Sequence, residues 1–108
     1  MRITKGGDIQ QVAKKGKRFR TKHLEVRILA SPLSHPRIGL VVPKFGHSAV
    51  ERNRLKRRIR EIIRIRVLQN LPVVDVVIRT RPSTYDVPVS GLLKELDDSM
   101  YAIQQLFL

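Results

Sequence analysis

Cysteine is absent from this 108-residue chain. That excludes disulfides, thiolate zinc sites and a cysteine nucleophile, and it fits a reducing compartment. Tryptophan is absent too, and aromatics make up only 5% of the residues. A platform of rings for stacking single-stranded bases is therefore poorly supplied. No apolar run approaches the ~18–20 residues of a membrane span. The opening MRITKGGD lacks the apolar core of a secretory signal. A cytoplasmic protein with no membrane partner is expected. Acids are scarce, with nine Asp and Glu against 22 Lys and Arg.

What is present is positive charge, and it is placed rather than spread. Residues 1–66 hold 19 Lys and Arg against 4 Asp and Glu, a net +15; residues 67–108 hold 3 against 5, a net −2; together they give +13. A basic half beside a slightly acidic half points to a binding surface. The length is that of one domain, 1–108, with one modest core. No internal repeat or linker-like stretch interrupts it.

The hydrophobic pattern divides the chain into elements. Ile3, Ile9, Val12 and Ala13 predict a short first helix stopped at Gly16. From Lys22 to Leu29 the residues alternate, with Leu24, Val26 and Ile28 on one face, which is strand periodicity. Ser31-Pro32 and His35-Pro36 bracket a turn, and Arg37–Val42 is a second strand. A short connection makes these two strands most simply an antiparallel pair. Ser48-Ala49-Val50-Glu51 matches a capping box. The helix it opens should run to about Gln69, before Pro72. Val73–Thr80 is a third strand, with Asp75 inside it. Strand, helix and strand make a crossover unit with parallel strands. After a loop through Pro88, Leu92, Leu93, Leu96, Met100 and Ile103 mark an amphipathic last helix.

The segment from Arg52 to Arg66 holds eight basic residues against Glu61 alone. On a helical wheel with Arg52 at zero, Leu55, Ile59, Ile62, Ile63 and Val67 form a stripe centred near roughly 350°. Asn53, Lys56, Arg57, Arg60 and Arg64 occupy an arc from roughly 40° to 140°, with Arg54 and Arg58 farther round. Arg66 falls inside the apolar stripe, its stem expected along the core edge. A solvated helical face usually alternates its charges to gain i,i+4 pairs, whereas Lys56, Arg60 and Arg64 are like charges at that spacing. A polyanion against the ridge would remove the repulsion. Arginine outnumbers lysine here seven to one, and its planar fork suits phosphate. Nucleic acid is the partner class that follows. No second helix sits just before the basic one, and no zinc finger or heptad zipper is present, so a DNA-binding regulator is disfavoured. The spacing alone leaves the choice of RNA open.

No catalytic constellation is visible. His23, His35 and His47 lack carboxylate partners in the pattern, and His47 beside the basic loop reads as a surface or RNA contact. Adjacent Asp97 and Asp98 point to different faces of a helix, and Glu51 and Glu61 are explained by capping and a surface ion pair. Neither a protein-borne active site nor a metal site is expected.

The block RIGLVVPKFGHSAVERNRLKRRIREIIR, residues 37–64, resembles the bacterial ribonuclease P protein family, the RNR-motif family. The family pattern is a strand, a Lys-containing loop with Gly, then A-V-x-R-N-R-x-K-R-x-x-R-E. It is matched by Ala49, Val50, Arg52-Asn53-Arg54, Lys56-Arg57, Arg60 and Glu61. Lys17-Arg18-Phe19-Arg20 after Gly16 resembles the family's G-K-R-F-R segment, and Arg81-Pro82 its close to the last strand. The resemblance implies an α/β (α+β) sandwich, a four-stranded mixed sheet with packed helices. The implied order is α-β-β-β-α-β-α, with an extra short strand near Lys17–Arg20 and a left-handed crossover. It implies a subunit that binds a catalytic RNA and helps remove the 5′ leader of precursor tRNA, with Mg²⁺ held mainly by RNA and no obligate protein partner. The RNA-binding residues carried over are Lys44, Arg52, Asn53, Arg54, Lys56, Arg57, Arg60 and Arg64, with Lys17, Arg18 and Arg20. The leader cleft carried over holds Ile9, Ala13 and Arg27, where the family commonly has aromatics. A leader grip resting on charge, and sensitive to salt, is the expectation. A structural RNA-binding protein of the ribosome shares the composition; the RNR block and the PKFG loop before it separate the two.

Overall fold

A computed structural model describes residues 11, 12, 14–31, 35–67 and 71–107. The strands are β1 (Lys17–Arg20), β2 (Leu24–Ala30), β3 (Arg37–Val41) and β4 (Val74–Thr80). The helices are α1 (Ala49–Ile62) and α2 (Val89–Phe107), with a π-helical turn at Ile63–Val67 and a 3₁₀ turn at Pro82–Asp86. Gln11, Val12, Lys14 and Lys15 are helical and stop at Gly16, as the pattern predicts; the greater part of that first helix lies outside the described residues. Gly16 is required by close approach. A Cβ there would lie 2.5 Å from the Val12 carbonyl oxygen and 2.8 Å from that of Ile28.

The sheet order is β1-β2-β4-β3. β1 and β2 are antiparallel, β2 and β4 antiparallel, and β3 and β4 parallel. The four-stranded mixed sheet and the parallel β3–α1–β4 crossover are as expected. The direct pairing of the second and third strands is not. β4 lies between β2 and β3, pairing Val26 with Ile78 on one side and Ile38 with Val76 on the other. The physical reason is burial. Val74, Asp75, Val76, Val77 and Ile78 are all buried, so β4 is covered on both faces and takes the centre. β2 is buried at alternate positions and β3 only at Ile38 and Gly39.

One sheet face carries Leu24, Val26, Ile28, Ile38, Val76 and Ile78, and against it pack Leu55, Ile59 and Ile62 of α1 and Leu92, Leu96 and Ile103 of α2. Each side chain so buried contributes roughly 1.5–3 kcal/mol. On the other face Val12 packs with Val77, beside Leu29 and Val41. The remaining positions of that second face are largely charged.

The capping box is formed. The Glu51 amide donates to Ser48 Oγ at 3.1 Å, and the Ser48 amide donates to Glu51 Oε1 at 3.1 Å. α1 does not stay α-helical to its end. The wider π turn keeps Ile63 and Val67 buried while Ile65 and Arg66 stand exposed. Arg66 therefore leaves the apolar stripe, and its guanidinium lies 3.4 Å from Asp97 of α2.

Candidate nucleic-acid interface

α1 is anchored on its apolar side and presents cations on the other. Arg54, Arg57 and Arg58 are exposed, and none of the three forms an ion pair among the described residues. Asn53 is exposed beside them, while Lys56 and Arg60 are half-buried. Arg64 is exposed but paired, donating to Glu61 at 2.6 Å. That hydrogen bond and the Arg64 charge hold the Glu61 carboxyl below its usual range and push the guanidinium higher. Arg52 also makes a contact within the protein. Its Nε donates to the Val42 carbonyl at 2.7 Å, tying the first turn of α1 to the end of β3.

The loop before α1 is equally fixed. Lys44 is exposed, and its carbonyl accepts from the His47 amide at 2.9 Å. The His47 ring stacks on Tyr85 with centroids 3.8 Å apart, and His47 Nδ1 lies 2.8 Å from Glu51 Oε2. Tyr85 donates its hydroxyl to the Pro43 carbonyl at 2.7 Å. The His47 contact and the Ser48 bonds lower the Glu51 carboxyl from 4.5 to about 2. Sequence reasoning read His47 as a surface or RNA contact; its partly exposed ring also braces the loop.

The second face of the sheet is a separate basic surface. Strand alternation puts Arg18 and Arg20 of β1 on it, and Lys17 with Phe19 on the opposite face. Arg18 pairs across from Arg27, Glu25 from Arg79, and Val41 from Arg79. Arg18, Arg20, Glu25, Arg27, Val77 and Arg79 line a cavity of about 390 Å³ with Val41. Glu25 is the acid of this group. Burial alone would raise its carboxyl, but the Arg27 hydrogen bond and the charges of Arg27, Arg20 and Arg18 hold it low. Arg27 lies 2.9 Å from Glu25 and Arg20 3.5 Å. At the far end of the face Arg37 grips Asp75 with two bonds, 3.0 and 2.7 Å. Arg27 lines this cavity, whereas Ile9 and Ala13 lie outside the described residues. Arg79 was missed in the sequence because it lies outside the basic half of the chain, at the end of an apolar strand. Its place next to Glu25 and Val41 follows only from the β2-β4-β3 order.

A larger cavity, about 820 Å³, lies between the β1–β2 turn and α2. Its walls mix both signs, and Glu95 there is already engaged by the Thr21 hydroxyl and the His23 amide at 2.5 and 2.7 Å. Among the described residues no three His, Asp or Glu side chains gather as a metal site, and no helix is long and apolar enough to cross a membrane.

The sequence pattern of the Ribonuclease P family matches residues 1–104. The Ribonuclease P protein component of Syntrophobacter fumaroxidans is 42% identical over 90 residues, covering 82% of this chain and 76% of that protein. That of Nitrosococcus oceani is 37% identical over 98 residues, covering 90% and 82%. The RNase P protein of Staphylococcus aureus superposes with a TM-score of 0.83 at 26% identity, covering 99% of this chain and 97% of that one. The RNase P protein from Thermotoga maritima gives 0.82 at 28%, covering 95% and 97%.

Proposed function

The chain belongs to the ribonuclease P protein family, and on that premise we propose how its two basic surfaces divide the work. It is the protein subunit of a ribonucleoprotein endoribonuclease of tRNA processing and associates with that enzyme's RNA subunit. The ridge of α1, with Lys44 before it, grips the RNA subunit. The observation that carries this is the exposed row Arg54, Arg57 and Arg58 on a helix clamped from behind by Leu55, Ile59 and Ile62. A cationic row held this rigidly meets phosphates without first losing side-chain packing.

The open sheet face takes the 5′ leader of precursor tRNA, through Arg18, Arg20, Arg27 and Arg79. In this reading the leader is held by charge more than by rings. Mg²⁺ resides on the RNA. The described residues do not gather the carboxylates that would hold the ion, so no step runs through them. The cleavage chemistry belongs to the RNA, and the protein neutralises charge and holds substrate. The whole chain acts as one RNA-binding domain in the cytoplasm, without DNA, a membrane or an obligate protein partner. The ribosomal alternative is not favoured, since the relatives bear the ribonuclease P name.

Reconstitution tests the proposal. Added to a bacterial ribonuclease P RNA at low Mg²⁺, the protein should restore leader removal. Arg57→Ala should weaken assembly and flatten its salt dependence by about 0.7–0.9 of a log unit per log salt, the signature of one phosphate left unneutralised. Arg79→Ala should spare assembly and weaken precursor binding. Failure of the wild-type protein either to bind the RNA or to restore cleavage ends the proposal.

A further inference from the structure

The turn Lys44-Phe45-Gly46-His47 puts an aromatic ring where the backbone disfavours one. Backbone φ is positive at both central positions, 49° at Phe45 and 86° at Gly46. With the His47 amide bonded to the Lys44 carbonyl, this is the pattern of a type I′ turn, whose favoured central pair is Asn-Gly. Gly46 meets the demand without steric cost. Phe45 does not, because a bulky side chain in the left-handed region is strained. Burial does not offset that strain, since the ring is 45% exposed.

The support beneath this ring is rigid. Arg52 holds the Val42 carbonyl and Tyr85 holds the Pro43 carbonyl on the approach to the turn. His47, on its exit, is stacked on Tyr85 and bonded to Glu51, the residue that caps α1. An exposed, strained ring is thus clamped between exposed Lys44 and the first turn of the cationic helix. Strain of this kind is retained where a side chain has work to do in a complex.

We propose that Phe45 stacks on an unpaired base of the RNA subunit gripped by the α1 ridge. This rests on the ribonuclease P reading above and sharpens it. Every base offers a π face, and a nearby ammonium draws the phosphates that bring one. In a chain so poor in rings, one aromatic on a fixed turn supplies the contact that charge alone does not.

Two variants test it. The chain contains no tryptophan, so Phe45→Trp introduces its sole indole, and the emission of that indole, excited selectively over the tyrosines, should be quenched on binding the RNA subunit. Phe45→Asn installs the favoured Asn-Gly pair, so thermal stability should hold or rise. Its affinity for the RNA subunit should nonetheless fall roughly 5- to 150-fold, the size of one base–aromatic stack. The salt slope should not change, because every phosphate keeps its cation. Arg57→Ala should do the reverse, lowering the slope. Unchanged affinity in Phe45→Asn, or unquenched emission in a formed Phe45→Trp complex, overturns this inference and leaves the ribonuclease P reading standing. A wild-type protein that fails to bind the RNA subunit overturns both.

Discussion

Arg37 and Asp75 face each other across the β3–β4 pair, with the carboxylate almost wholly removed from water. A buried pair of this geometry adds little by itself, since desolvation offsets much of the attraction. Removing one partner is another matter, because an uncompensated charge stays behind. Asp75→Ala should lower stability by roughly 3–5 kcal/mol in urea melts, and a double change to an apolar pair should recover most of it. The sequence disclosed Asp75 as an anomaly in an apolar strand but not its partner, which depends on the parallel register. Arg52 teaches the opposite lesson. The wheel sets it only about 10° from the centre of the apolar stripe, so a contact of its side chain with the protein was foreseeable, though not the Val42 carbonyl as the partner. The RNR pattern groups it with the RNA-facing residues and gives no sign of this bond.

At the scale of elements, the junction at Ser48 was read correctly, because capping chemistry is local and every participant lies within four residues. Ser48→Ala should cost roughly 0.5–2 kcal/mol, seen as a lower denaturant midpoint. Glu51 adds a pH dependence whose sign is fixed. Its folded-state value, about 2, lies below the ordinary 4.5. Its contribution is therefore complete above the ordinary value and lost as pH falls through about 2. Melting wild type and Glu51→Gln side by side should show a constant gap above about pH 5 that closes by about pH 2. A gap independent of acidity would remove Glu51 from the cap. What the pattern could not give was the π turn at Ile63–Val67, since a uniform wheel assumes one pitch, nor the seat of β4. Short loops favour neighbouring strands, but the strand buried on both faces claims the middle.

For the whole molecule, a charge of +13 on 108 residues means that the folded state repels itself until anions arrive. Sulfate at about 100 times its Kd should add about 2.7 kcal/mol for each site filled, read as a higher melting temperature than in chloride at equal ionic strength. Arg57→Ala combined with Arg58→Ala should shrink that gain; an equal gain would mean that sulfate acts elsewhere.

The place of β4 also fixes when this protein can fold as it is made. Until Val74–Thr80 has left the ribosome, only the β1–β2 hairpin has its partner, and β3 has none. A nascent chain halted before Val74 therefore carries a finished arginine-rich segment with no completed sheet to seat it. Any RNA it meets during that interval meets an unanchored helix, so productive assembly must wait for the last strand to emerge.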